Sequence, residues 1–220
     1  LFQAIPHRQM SRCNYDGEML SEEELQQLQD AGTDDGVKVI MLTQRDKQDD
    51  LTHTIIRANT QQLHDPAFRL ELISWIRCNQ EEAMKSGDGL LGSASGNPSV
   101  PTLLGRFLLP FLITASSENK KIKQQLASSA GVAIFVTEKQ DPQHWIKVGR
   151  CYERFALRST ALGIRNAMFN QPVEVSADRK RLTKRLGLGE SASLDLIVRF
   201  GKGGPSLPLS PRRPLNDVIL

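Results

Sequence analysis

Gly131-Val-Ala-Ile-Phe-Val-Thr137 is the run on which the reading of the fold turns. It is short, almost continuously apolar and rich in β-branched and aromatic residues, so it predicts a strand covered on both faces. The residues after it agree. Asp141-Pro142 is an N-cap with proline at the first helical position, and it predicts a long helix to about Leu162. Trp145, Val148, Gly149, Tyr152, Phe155, Ala156 and Ser159 recur at helical spacing and mark the expected buried face. Gly163 stops that helix. A short extended piece, Ile164 to Phe169, comes next, then a basic helix over 176–186 ended by Gly187. Leu194 to Phe200 reads as a last strand, Gly201 to Gly204 as a turn, and 202–220 as a C-terminal tail.

Toward the N-terminus, a lysine-rich polar stretch is preceded by an apolar helix from about Leu103 to Thr114. Residues 86–101 form the one long loop, or lid, with Gly87, Gly89, Gly92 and Gly96. Asp65-Pro66 opens a helix carrying Phe68, Leu72, Ile73, Trp75 and Ile76. Trp75 is expected in the core or at an interface. Residues 46–63 predict a polar helix with Leu51, Ile55, Ala58 and Gln62 on one stripe, and Val37 to Leu42 a strand. Ser21 and Glu24 form a capping box that opens a helix to about Asp30. Leu1 to Gln9 predicts a short helix interrupted by Pro6. There is no internal repeat. This order of elements reads as an α+β fold, a central sheet covered by helices.

Composition narrows the function classes. The 220 residues suffice for one substantial domain or two small ones. Hydrophobic residues make up 39% and charged residues 24%, an ordinary globular profile. The 28 basic and 25 acidic residues leave a net charge of +3, too balanced for non-specific nucleic-acid binding. No apolar run approaches the roughly 20 residues a bilayer span needs, so no membrane partner is expected. Three cysteines, Cys13, Cys78 and Cys151, show no C-x-x-C pair; reduced thiols in a cytoplasm are expected. His7, His53, His64 and His144 show no metal spacing, and no metal site is expected. Neither a G-x-S-x-G nor a P-loop pattern occurs.

The tail contains Ser210-Pro-Arg-Arg-Pro214. Pro211 and Pro214 stiffen the backbone around Arg212 and Arg213, which lowers the cost of presenting two guanidinium groups to a fixed anion. The alternative is a basic tail that docks on the surface or frays. Near the start stands His7-Arg-Gln-Met-Ser-Arg-Cys-Asn-Tyr15, and between the two lies the helix from Trp145 running on to Pro172. Taken in order, these three segments resemble the FMN-dependent nitroreductase family, most of all its Acg-like branch, whose members often carry two diverged copies of the domain.

The resemblance implies one nitroreductase-like domain over 1–220, with a central, mostly antiparallel sheet covered by helices. It also implies FMN. Arg8, Gln9, Met10, Ser11 and Arg12 would form the N-terminal cofactor segment, with Arg8 and Arg12 in the basic places. Met10 stands where the family has a hydroxyl residue, and Ser11 lies beside it. Arg212 and Arg213 would meet the same phosphate from the tail. Arg12 would also suit the N1–C2=O edge of the ring. Met168, Asn170 and Gln171 would pass beside flavin N5; Asn170 replaces the usual acidic residue and Gln171 its neighbouring glycine. No protein side chain would be catalytic, because N5 carries the chemistry. The implied activity is hydride transfer from NADH or NADPH to a nitroaromatic, quinone or similar acceptor. The alternative is a flavin-binding or storage module with little turnover, favoured if residues 86–101 cover the ring. A homodimer, or pairing with an upstream copy, would complete the site; the start at Leu1 suits an excised second copy.

Overall fold

The computed structural model describes residues 1–95, 99–189, 191–205 and 213–219. A 3-10 turn, Phe2–His7, is followed by α1 (Glu22–Gly32), β1 (Val37–Leu42), α2 (Arg45–His64) and α3 (Pro66–Trp75). An excursion then runs through β2 (Ile76–Arg77), α4 (Gln80–Ser86), β3 (Leu90–Leu91), a 3-10 turn (Gly92–Ser95) and α5 (Thr102–Leu112). The chain returns through α6 (Ala115–Ala127), β4 (Gly131–Thr137), α7 (Pro142–Ala161), β5 (Arg165–Met168), α8 (Gln171–Glu174), α9 (Ser176–Arg185) and β6 (Ser193–Gly201). The main sheet has the order β1-β4-β6-β5, and each neighbouring pair is antiparallel. This is the α+β architecture the order of elements predicts. A separate two-stranded parallel pair joins Ile76 to Leu90 and Arg77 to Leu91.

Every residue of β4 is buried. Its side chains alternate between two cores, as the strand period requires. Ala133 and Phe135 face the core shared with Leu28 of α1 and with Val148, Tyr152 and Phe155 of α7. Val132, Ile134 and Val136 face the core shared with Leu51 and Ile55 of α2, Ile122 and Leu126 of α6, and Leu182 of α9. Phe155 packs edge-on to Phe135, with ring centroids 5.5 Å apart, and also meets Phe200 of β6. A third, smaller cluster under the excursion holds Leu63, Cys78, Leu109 and Ile113.

Three expectations need correction. The buried stripe of α7 begins at Val148, whereas Trp145 is 51% exposed and Gly149 is exposed too. Periodicity assigns a face along the whole helix but does not say which residues of that face a neighbouring element reaches. Trp75 closes α3 at 47% exposure, outside the core, which leaves only the interface half of that expectation. Finally, 86–101 is not one plain loop. Ser86 ends α4, whose N-cap Asn79 accepts a bond from the Glu82 amide, and Leu90–Leu91 pair back onto β2. The lysine-rich stretch likewise folds as α6, opened by a Thr114–Ser117 capping box with Ile122 and Leu126 buried four residues apart.

Phe155→Ala should empty a site touched by two aromatic rings and cost about 3–5 kcal/mol. Urea unfolding followed by circular dichroism checks this; a loss under about 1 kcal/mol contradicts that packing.

Candidate functional site

β5 ends at Met168, and the chain turns through Phe169 and Asn170 into α8. Both backbone groups of Ile197 in β6 hold this corner. The Phe169 amide donates to the Ile197 carbonyl at 2.8 Å, and the Ile197 amide donates to Asn170 Oδ1 at 2.9 Å. On the other side of β5, the Ser11 amide donates to the Asn166 carbonyl at 3.0 Å. The N-terminal segment thus lies along the end of the sheet, next to the corner.

Between these pieces, α2, α6 and the excursion lies a cavity of about 450 Å³. Arg12, Gln125, Met168, Asn170 and Gln171 contribute to its polar side, and Leu63, Phe68 and Ile113 to its apolar side. Leu90 and Gly92 bring the excursion to its wall. Two carboxylates at the lining are engaged: Glu118 accepts from Lys121 and Glu174 from Gln62.

Arg12 stands apart from them. Its guanidinium makes no side-chain hydrogen bond or ion pair with the described residues. Burial holds its pKa below the ordinary arginine value, and Tyr152 opposes that shift. Across the same cavity, Gln171 Oε1 is buried without a hydrogen-bond donor. Arg12 therefore brings a cation without a side-chain partner among the described residues to a space of ligand size; Gln171 lines the same space, although its Oε1 is closed off from it. An unpaired cation is costly when left unmatched, and this one fits a ligand with an electron-rich edge.

No family model and no curated protein matches the sequence. Solved structures do match in shape. A Bacteroides fragilis nitroreductase with bound FMN superimposes with a TM-score of 0.61 at 14% identity, covering 100% of this chain and 96% of that one. Iodotyrosine deiodinase bound to FMN and 3-iodo-L-tyrosine gives 0.60 at 13% identity, again covering 100% and 96%. An NADPH:FMN oxidoreductase from Vibrio harveyi complexed with NAD+ gives 0.57 at 12% identity, covering 100% and 75%.

The fold is nitroreductase-like.

Within this nitroreductase-like fold, the residues expected at a cofactor site separate into two groups. Arg12, Met168, Asn170 and Gln171 meet at the cavity. Arg8, Gln9, Met10, Ser11 and Arg213 are not among its lining residues. Arg8 pairs with Glu153 on α7 at 3.2 Å, while Gln9 and Met10 are half-buried. Ser11 is buried, and its hydroxyl contacts Cys13 Sγ and accepts from Arg165. Arg213 is exposed and lies beside Gly87, where an added Cβ would stand 3.4 Å from its Cγ. There the Asp88 carboxyl is held below its ordinary pKa chiefly by the bond from Arg77, with Arg213 contributing less. Arg212 lies outside the described residues.

Sequence reasoning passed over Gln125 and Arg199. Gln125 Nε2 donates to the Arg12 carbonyl at 2.6 Å, but nothing in a polar helix marks that residue. Arg199 left a signal, a charge between Val198 and Phe200 in the mostly apolar run Leu194 to Phe200.

Asn170→Ala should strand the Ile197 amide and cost about 1–3 kcal/mol. Asn170→Asp, which keeps an acceptor, should stay within about 1 kcal/mol of wild type at pH 7. Urea unfolding of the two variants decides it: equal losses would show that the corner does not depend on this bond.

Proposed function

We propose that the cavity receives the ring of FMN and that the protein is an NAD(P)H-dependent flavin oxidoreductase. The supporting observation is an Arg12 guanidinium that has no side-chain partner among the described residues and lines a cavity of about 450 Å³. The nitroreductase-like fold agrees with it. When bound, FMN supplies the redox chemistry, taking a hydride from NADH or NADPH and passing it to a nitroaromatic, quinone or similar acceptor.

The chain's own residues bind and orient. Arg12 offers a fixed positive charge to the N1–C2=O edge, where negative charge collects on reduction. Gln171 contributes to the same lining. Met168 and Asn170 form the wall beside it, and the apolar side of the cavity excludes water from the ring. No acid–base side chain is needed, in keeping with the absence of a catalytic constellation in the sequence. Arg8 through Ser11, with Arg212 and Arg213, complete the proposal as the phosphate end of the site. On its three ordered motifs we also assign the chain to the Acg-like branch, working in a cytoplasm where Cys13, Cys78 and Cys151 remain thiols. All three cysteines are free in the structure.

A second copy of the domain belongs to the same reading. Leu103, Phe107 and Phe111 lie four residues apart on one face of α5, at 88%, 69% and 70% exposure. A contiguous apolar face of this kind marks an interface more often than a free surface. We propose that a homodimer, or an upstream copy, covers it.

Purified protein mixed with FMN should retain a yellow cofactor, and anaerobic NADPH should bleach it. Arg12→Met should weaken FMN binding about tenfold or more, read by fluorescence titration. Bound FMN that stays oxidised with both NADH and NADPH would instead support the storage module, which the approach of Leu90 and Gly92 to the cavity would then explain. A protein that takes up no FMN defeats both readings.

Light scattering should report a dimer for the wild type, and a monomer for the Phe107→Asp/Phe111→Asp double variant with an unchanged circular dichroism spectrum. A wild-type monomer refutes the homodimer.

A further inference from the structure

We propose that Arg199 is a positioning residue for Arg12: a buried guanidinium on β6 that grips the main chain on either side of Arg12 and so aims its cation into the cavity. This rests on the reading of the cavity as a flavin site.

Arg199 is completely buried. Its Nη2 donates to the Ser11 carbonyl at 3.1 Å and to the Cys13 carbonyl at 2.6 Å. Those two carbonyls flank Arg12. The intervening Arg12 carbonyl accepts from Gln125 Nε2, and the Ser11 carbonyl accepts a second bond from Tyr15 Oη at 2.9 Å. The other arm of Arg199, Nη1, donates to the Gln125 carbonyl and to Ser129 Oγ at 3.1 and 3.3 Å. One guanidinium therefore ties β6, α6 and the N-terminal segment together at the point where Arg12 leaves the backbone. Its plane is held against the Tyr15 ring, 3.9 Å from the centroid. That close approach is possible because Gly201, two residues along β6, has no Cβ; one added there would meet Tyr15 Cδ2 at 2.8 Å.

A purely structural part would be served more cheaply by an apolar side chain. Position 199 alternates with Val198 and Phe200 and lies on the same face of β6 as Ile197, a core residue. No carboxylate pairs with Arg199 among the described residues, and its Nε has no acceptor. Burial lowers its pKa; Tyr15 and then Cys13 oppose the shift, and nearby Arg12 adds to it. Arg12 on the cavity wall and Arg199 buried behind it thus have no counter-charge among the described residues. The arrangement makes sense if the main chain at 11–13 must be fixed by a donor that accepts nothing back, and if the wall must stay positive toward a ligand.

The first test needs no cofactor. Hydrogen exchange by mass spectrometry compares wild type, Arg199→Met and the milder Tyr15→Phe. Amides in 9–15 should exchange about tenfold or more faster in Arg199→Met and less so in Tyr15→Phe, with β4 unchanged. Should Arg199→Met fail to fold, Tyr15→Phe alone must show the local effect. Unchanged exchange at 9–15 overturns the proposal, and so does acceleration spread evenly over the sheet, the mark of core packing alone.

The second test uses the FMN-loaded protein. The preference for reduced over oxidised flavin, taken from the bound midpoint potential, should fall about tenfold in Arg12→Met. It should fall by a similar factor in Arg199→Met, no further in the double variant, and least in Arg199→Lys. Additive losses would mean that Arg199 acts on its own charge and not through Arg12, against the proposal. A wild-type chain that binds no FMN sinks the flavin reading, and the exchange result then decides Arg199 separately.

Discussion

β4 is hydrogen-bonded on both edges and apolar on both faces, and that double burial constrains everything around it. A strand of this kind has no stable place unless two helical layers cover the sheet. α1 and α7 supply one layer, and α2, α6 and α9 the other. With both faces of the sheet occupied, polar side chains can gather only at the ends of the strands and under the excursion. The cavity lies there, where β5 gives way to α8 and where α6 passes above the N-terminal segment. Its position follows from the way the core is filled.

The parts of the fold carried by local rules were readable in the sequence. β4 announces itself by composition, α7 by its Asp141-Pro142 start, and α1 by a capping box that the structure closes in both directions. Expectations failed where the answer depended on a distant partner. Trp145 has the right period for the buried face of α7, but period cannot say where the opposing layer ends. β2 and β3 are two residues each, too short for any pattern to exceed noise, and their pairing is made by neither strand alone. α4 and α6 were different; Asn79 with Glu82 and Thr114 with Ser117 are caps that a stricter reading of the sequence contains.

The candidate site shows the same division. Arg12, Met168, Asn170 and Gln171 were legible through an ordered set of motifs, and they meet in space. Ser11 does not join them, for a geometric reason. An extended segment turns successive side chains to opposite sides, so Arg12 lines the cavity while Ser11 turns inward to Arg165 and Cys13. Adjacency in sequence is therefore a poor guide to adjacency at a ligand. Gln125 could be found only from tertiary contacts. Arg199 could have been suspected from the sequence, since an arginine within an apolar strand asks for a partner.

That partner is not an acid, and the contrast with other arginines is informative. Arg57, Arg77, Arg106 and Arg154 each meet a carboxylate, from Asp178, Asp88, Glu82 and Asp34. A chain with 25 acidic residues does not lack them. An acid beside buried Arg199, or beside half-buried Arg12, would offset the cost of leaving the charge unpaired. It would also neutralise the wall of the cavity toward any electron-rich ligand. Leaving both cations without a carboxylate costs stability beside a cavity of ligand size. A fold that obeys local rules elsewhere and breaks one at this wall points to function at the break.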